Sequence, residues 1–283
     1  MSEADSHDVT VIGAGIVGIC CALKLANSGL TVRVVDWEAP GQGTSFGNAG
    51  VISPWSCVPQ SLPGQWKSIP RWTLSPDGPV ALRWAYLPYL VPWLVRFLAS
   101  AQSSRVSGIA DAILALNRNC RNLYRELLNG TGHEDLVCDS YYIHVFRTAR
   151  HADPNQAQWA LRRERGVPLE FISGDEAREI EPALAPEYQA AVLIKGQARA
   201  MNPGRLGEVL AEKARRLGVV FTRARVCEII PATPRSFEVR TDQGIFSSPQ
   251  AVVAGGAWSA RLLAPLGVRV SLEAERGYHV VFA

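Results

Sequence analysis

The chain has 283 residues, 47% of them hydrophobic and 19% charged, with a formal net charge of +3. That is a globular composition, long enough for two domains with sizeable cores. Without a basic block or an acidic tail it gives no basis for a nucleic-acid partner, and none is expected. The N-terminal "MSEADSHD" lacks the basic start and apolar run of a secretory signal. Reduced thiols and a cytoplasmic location are therefore expected. The six cysteines form no C-x-x-C and the five histidines show no metal-ligand spacing, so no metal site is expected.

In chain order, "VTVIG" (residues 9–13) is a continuous apolar run suited to a strand covered on both faces. Residues 16–29, "IVGICCALKLANSG", read as a helix apolar nearly all round and closed by Gly29. "TVRVVD" (31–36) is a second buried strand, so the first thirty residues predict a right-handed βαβ unit. Residues 41–80 are rich in Gly, Pro and Ser and predict a long functional loop. "WAYLPYLVPWLV", Trp84 to Val95, is twelve residues between two arginines. It falls short of the roughly 20 needed to span a bilayer, and reads as a buried or lid helix or as one lying on a membrane surface.

Residues 107–130 predict one amphipathic helix with Ile109, Ile113, Leu116, Cys120, Leu123 and Leu127 on its apolar side. A strand over 137–147 and a helix over 155–166 follow. "SGDEAREIEP" carries a Ser173-x-x-Glu176 capping box, its helix stopped by Pro182. "AAVLIK" (190–195) predicts a strand, and 202–218 a helix closed by Gly218. Strands over 219–222 and 226–230 precede a hairpin over 236–248 that turns at Asp242-Gln243-Gly244. "QAVVAGGAWSARLLAPLG" (250–267) repeats the opening theme of strand, glycine turn and helix, and its strand can share a sheet with that of "DVTVIG". The end, "VSLEAERGYHVVFA", begins as an alternating strand.

The chemistry lies in "GAGIVG". Gly13, Gly15 and Gly18 follow a strand and open a helix, the context a dinucleotide turn needs. Gly13 permits the tight turn, Gly15 lets the backbone approach a pyrophosphate, and Gly18 lets helix and strand pack closely. The pyrophosphate would sit on the unpaired N–H groups at the helix start. Asp36, ending the second strand, can accept from both ribose hydroxyls and would repel a 2′-phosphate. NAD and FAD both satisfy this chemistry.

The extended pattern from Gly13 through Ala22, Leu25, Ala26, Gly29 and Val32 to Asp36 resembles the N-terminal fingerprint of flavoproteins with two dinucleotide-binding domains. "GQGTSFGNAGVISP" (41–54) is similar to the second cofactor loop of the D-amino-acid oxidase superfamily, and "TSFGNAGVISP" especially to its D-amino-acid dehydrogenase branch. "RARVCEI", "VVAGGAWSARL" and "AERGYHVVF" continue the resemblance in order along the chain. It implies an α/β fold: a Rossmann-like FAD domain made of residues 1–60 and 201–266, interleaved with an α+β substrate domain over 61–200 that resumes in a strand over 267–283. It also implies non-covalent FAD, since residues 41–54 contain neither His nor Cys. The cofactor contacts so implied are Gly13, Ala14, Gly15, Ile16, Val17 and Gly18 of the turn, Asp36 and Trp37, and Thr44, Ser45, Asn48, Ala49 and Gly50. Further along are the backbone near Val226, then Gly255 and Gly256, with Ala257 and Trp258 beside them.

The implied reaction is oxidation of a D-amino acid, Cα–H passing as hydride to flavin N5 and the imino acid hydrolysing to a 2-oxo acid and ammonia. Arg276 and Tyr278 in "ERGYH" are the candidate substrate contacts, with structural roles as the alternative; Trp55 is open between packing and site wall. Other readings are oxidation of a cyclic or N-methyl amino acid or glycine (hydroxyproline, proline, sarcosine), an NAD-dependent dehydrogenase, or an inactive flavoprotein fragment. Oxygen and a membrane quinone both stay open as electron acceptor, the latter with a peripheral contact on the cytoplasmic membrane face. Family members continue beyond the point matched by Ala283, so a truncated chain with little turnover is expected.

Overall fold

The computed structural model describes residues 6–64, 84–272, 274 and 277. Its elements are β1 (Val9–Ile12), α1 (Ile16–Asn27), β2 (Val32–Asp36), β3 (Val51–Ile52), α2 (Leu87–Ser100), α3 (Ser103–Asn117), α4 (Cys120–Leu128) and β4 (Val137–Phe146). Then come α5 (Ala157–Arg163), β5 (Leu169–Ser173), α6 (Gly174–Ile180), β6 (Ala190–Ala200), α7 (Pro203–Arg216), β7 (Val220–Arg223), β8 (Val226–Thr233), β9 (Ser236–Thr241), β10 (Gly244–Ser248), β11 (Gln250–Val253) and α8 (Ser259–Leu263).

The chain divides into two compact units. One comprises Met1–Val51, Leu123–Cys138 and Arg199–Ala283, the other Ile52–Asn122 and Asp139–Ala198. The first is organised by a parallel sheet in the order β11-β1-β2-β7. All of β1 and four of the five residues of β2 are buried, which is why both read as unbroken apolar runs rather than alternating ones. Chain order runs from β1 to β2 on one side, whereas β11 returns to the other side of β1, so the order reverses between β1 and β11. That reversal is where an open α/β sheet leaves a crevice at its carboxyl ends.

Helix α7 buries Leu206, Val209, Leu210 and Ala214. It starts sharply because Pro203 occupies its first turn and the Asn202 side chain accepts from the Arg205 N–H at 2.9 Å. The Lys213 ammonium ties the end of α4 to this unit by donating to the carbonyls of Leu127 (2.9 Å) and Asn129 (2.8 Å). Strands β8, β9 and β10 form an antiparallel sheet whose Ile229 and Val239 pack with Ile12. The hairpin turns where the sequence predicts, at Asp242-Gln243.

The second unit is built on the sheet of β3, β6 and β4, with β5 antiparallel to β6. Its core joins Cys57, Leu114, Trp159, Val192 and Ile194. The Ser173–Glu176 capping box is formed, each partner satisfying the other's backbone donor.

Three expectations change. The single helix over 107–130 is two helices, α3 and α4, and the buried face of α3 is Val106, Ala110 and Leu114 rather than the row through Ile109 and Leu116. Leu116 is 84% exposed. Both rows have helical spacing; the side that meets Leu161 is the one buried, and no count along the sequence separates them. Helix α2 has no buried residue, and Tyr89 and Val95 on it are exposed, which removes the buried-helix reading. The strand expected over 190–195 runs on to Ala200. "AERGYHVVF" lies largely outside the described residues. No helix among the described residues is long and apolar enough to cross a membrane.

One half-buried histidine should make the second unit pH-sensitive. The His144 ring lies 4.8 Å from Tyr142 and 5.1 Å from Trp159, and its Nε2 is buried without a partner. Burial, helped by the nearby Arg162 guanidinium, pushes its pKa down to about 4. The unfolded chain, titrating near 6.5, takes the proton first as pH falls. Stability present above pH ~6.5 should therefore be lost towards pH ~4, by about 1–2 kcal/mol after allowing for solvent at the ring. Urea unfolding at pH 7.5 and 5.0 should show a smaller pH dependence in His144→Phe than in the wild type; equal dependence would remove His144 as the cause.

Candidate cofactor site

A cavity of about 770 Å³ opens at the carboxyl ends of the parallel strands of the first unit, within the roughly 300–1,000 Å³ usual for cofactor pockets. Each strand delivers its following residues there: Gly13 to Val17 after β1, Asp36 and Trp37 at the end of β2, Ala224 to Cys227 after β7, and Ala254 to Gly256 after β11. The loop beyond β2 adds Thr44 and Ser45.

The three glycines of the turn do different things. Gly13 has φ +107°, and a Cβ there would overlap the Ala254 carbonyl oxygen. A Cβ on Gly18 would overlap the Gly13 carbonyl oxygen, so Gly18 seats the helix on the turn and does not line the cavity. Gly15 is different: its Cβ would meet only the Ser45 hydroxyl, at 3.3 Å. The backbone at the start of α1 thus faces open space, and Gly15, as the residue preceding the helix, offers no side chain to cap it. Such a helix start is a cradle for an anion. The Ser45 Oγ stands in it, accepting from the Ile16 N–H at 2.9 Å.

Asp36 faces the same space from β2. Its Oδ2 accepts from the Ala14 N–H at 2.6 Å and its Oδ1 from the Glu38 N–H at 3.0 Å. These bonds fix the carboxylate and leave lone pairs for two further donors, which vicinal ribose hydroxyls would supply.

Other residues singled out in the sequence sit elsewhere. The Asn48 amide donates to the Ser45 carbonyl (3.1 Å) and its carbonyl accepts from the Gly50 N–H (2.8 Å). Asn48 therefore braces the loop that carries Ser45, and neither it nor Ala49 nor Gly50 lines the cavity. Gly50 instead lies against the Ala200 carbonyl, where no Cβ fits. Trp55 packs on the core around Cys57 and Trp159, the packing alternative. Arg276 and Tyr278 lie outside the described residues. Glu38, Gln42, Arg225, Cys227, Arg261 and Leu262 line the cavity without having been singled out. Arg225 and Cys227 flank Val226, and that adjacency is the only signal the sequence carries for them.

The sequence profile of the DAO family, described as FAD dependent oxidoreductase, matches residues 8–283. The chain belongs to this family of FAD-dependent oxidoreductases. It is 35% identical over 280 residues, 98% of its length, to a D-amino-acid oxidase of Bradyrhizobium diazoefficiens, and 30% identical over 277 residues to a D-amino acid dehydrogenase of Rhizobium rhizogenes. It spans 66% of the length of each of these relatives. Among solved structures it is similar to glycine oxidase from Geobacillus kaustophilus, with TM-score 0.65 at 23% identity over 94% of this chain and 60% of that one. That similarity shows the DAO fold.

FAD, the cofactor of the DAO family, fits the residues present. Asp36 would hold the adenosine ribose, and the helix-start amides with Ser45 would hold the pyrophosphate. Cys57, a thiol close in sequence to the second cofactor loop, is fully buried, and burial pushes its pKa up.

Two glycine variants separate cradle from packing. Gly15→Val should leave the apo protein folded and abolish measurable FAD binding, whereas Gly18→Ala should lower the apo melting temperature. Asp36→Ala should weaken FAD binding by roughly 1–3 kcal/mol, the scale for hydrogen bonds to a charged group. Fluorescence titration of FAD and thermal melts of the apo forms check all three; wild-type affinity in both Gly15→Val and Asp36→Ala would displace the cofactor from this cavity.

Proposed function

We propose that this DAO-family protein oxidises D-amino acids at Cα. What supports the reading is the 35% identity, over 98% of the chain, to a relative named D-amino-acid oxidase. FAD, when bound, supplies the two-electron acceptor for the hydride leaving Cα. The chain's own part is to hold and orient. The α1 N-terminus and Asp36 secure the two ends of the adenosine diphosphate moiety, so that the rest of the cofactor is presented in a fixed register. Arg276 is proposed as the cation for the substrate carboxylate and Tyr278 as a wall of the substrate site. The imino acid produced adds water and breaks down to a 2-oxo acid and ammonia, a step that needs no protein nucleophile.

The test is a substrate panel with the FAD-loaded protein: D- and L-amino acids, glycine, sarcosine, proline and hydroxyproline. Turnover is followed both by oxygen uptake and with an artificial electron acceptor, which also separates an oxidase from a dehydrogenase. D-Amino acids should be turned over with kcat/KM at least about 100-fold above their L enantiomers. Arg276→Ala should raise KM and lower kcat/KM by orders of magnitude, as loss of a bidentate charge-assisted clamp does. Faster turnover of sarcosine, proline or glycine than of any D-amino acid would contradict the proposal.

A further inference from the structure

We propose that Asp242, in the turn between β9 and β10, is a positioning residue of the FAD site. Four consecutive residues, Ala224 to Cys227, line the cavity, and the last two of them are in β8. A regular strand presents only alternate side chains to one side. The exception has a visible cause. Val226 pairs with Thr241 and Glu228 with Arg240, so β8 advances two residues while β9 advances one. This is a bulge at Cys227, and bulges re-aim side chains beside sites.

The bulge does not fix Arg225, which precedes the first pair of the ladder. Asp242 does. The Arg225 N–H donates to Asp242 Oδ1 at 2.8 Å, and the Asp242 N–H donates back to the Arg225 carbonyl at 3.1 Å. On the other flank the Ala224 N–H donates to the Asp36 carbonyl at 2.8 Å. The segment is thus suspended between the ribose-binding aspartate and Asp242. Its guanidinium lies 5.8 Å from the centroid of Trp37, which packs edge-on against Trp258 at 4.9 Å. Trp37 and Trp258 both line the cavity, and Trp37 follows Asp36 directly. The purine carried by an Asp36-bound ribose would meet this Arg225–Trp37–Trp258 wall.

An aspartate in a hairpin turn usually serves the turn itself. Here Thr241 does that: its hydroxyl accepts from the Gln243 N–H at 3.1 Å and donates to the Gly244 carbonyl at 2.8 Å. The Asp242 carboxylate is left to the cavity wall.

The inference rests on the FAD assignment, and the experiment separates the two. Apo wild type, Asp242→Ala and Asp242→Asn are titrated with FAD and, separately, with ADP, which carries only the adenosine end. Asp242→Ala should weaken both ligands about tenfold, with the apo melting temperature and the absorption spectrum of bound flavin unchanged. Asp242→Asn, which keeps the acceptor oxygen, should restore wild-type affinity. Undiminished affinity in Asp242→Ala overturns the proposal while leaving the FAD assignment standing. So does an equal loss accompanied by a lower apo melting temperature and no rescue by Asn. A wild-type protein that binds neither ligand overturns both.

Discussion

The turn between β1 and α1 is packed so tightly that neither Gly13, against the Ala254 carbonyl oxygen after β11, nor Gly18, against the Gly13 carbonyl oxygen, has room for a Cβ. The rest of the first unit depends on that approach. It seats α1 directly on the turn, so that Gly15, Ile16 and Val17 at the helix start line the cavity at the carboxyl ends of the strands. It also brings the Ala14 N–H to Asp36, so that the acid closing β2 is locked by the same turn it faces. A side chain at either glycine would push the helix off the sheet and separate the amides from the carboxylate.

From that geometry the choice of ligand follows by charge. A helix start favours an anion, and a fixed carboxylate nearby favours hydroxyls and rejects a second phosphate. A dinucleotide with a free adenosine ribose meets both demands. The Ser45 hydroxyl already occupies one amide of the cradle, and the loop that carries it is braced by Asn48. The cradle is therefore shaped before any ligand arrives, which keeps the ordering cost of binding small.

The parallel strands were legible in the sequence because burial on both faces leaves an unmistakable apolar run, as in "VTVIG" and "TVRVVD". The capping box was legible because Ser173 and Glu176 act on each other three residues apart. What was not legible depends on partners distant in the chain. Whether Leu114 or Leu116 faces inward is decided by the core around Cys57 and Trp159. Whether Asn48 touches the ligand or its own loop depends on side-chain direction. Asp242 reads as a turn residue until Thr241 is seen to hold the turn. Arg225 gives no signal of its own, since its backbone is held beside the cavity by Asp242, 17 residues further along the chain.

The central claim is that the crevice at the carboxyl ends of β11, β1, β2 and β7 binds FAD rather than a nicotinamide dinucleotide. Calorimetric titration of the apo protein with FAD, NAD and NADP in turn tests it most directly. One FAD per chain, binding more tightly than NAD and with no detectable NADP binding, is the predicted result; NAD binding in preference to FAD would contradict it.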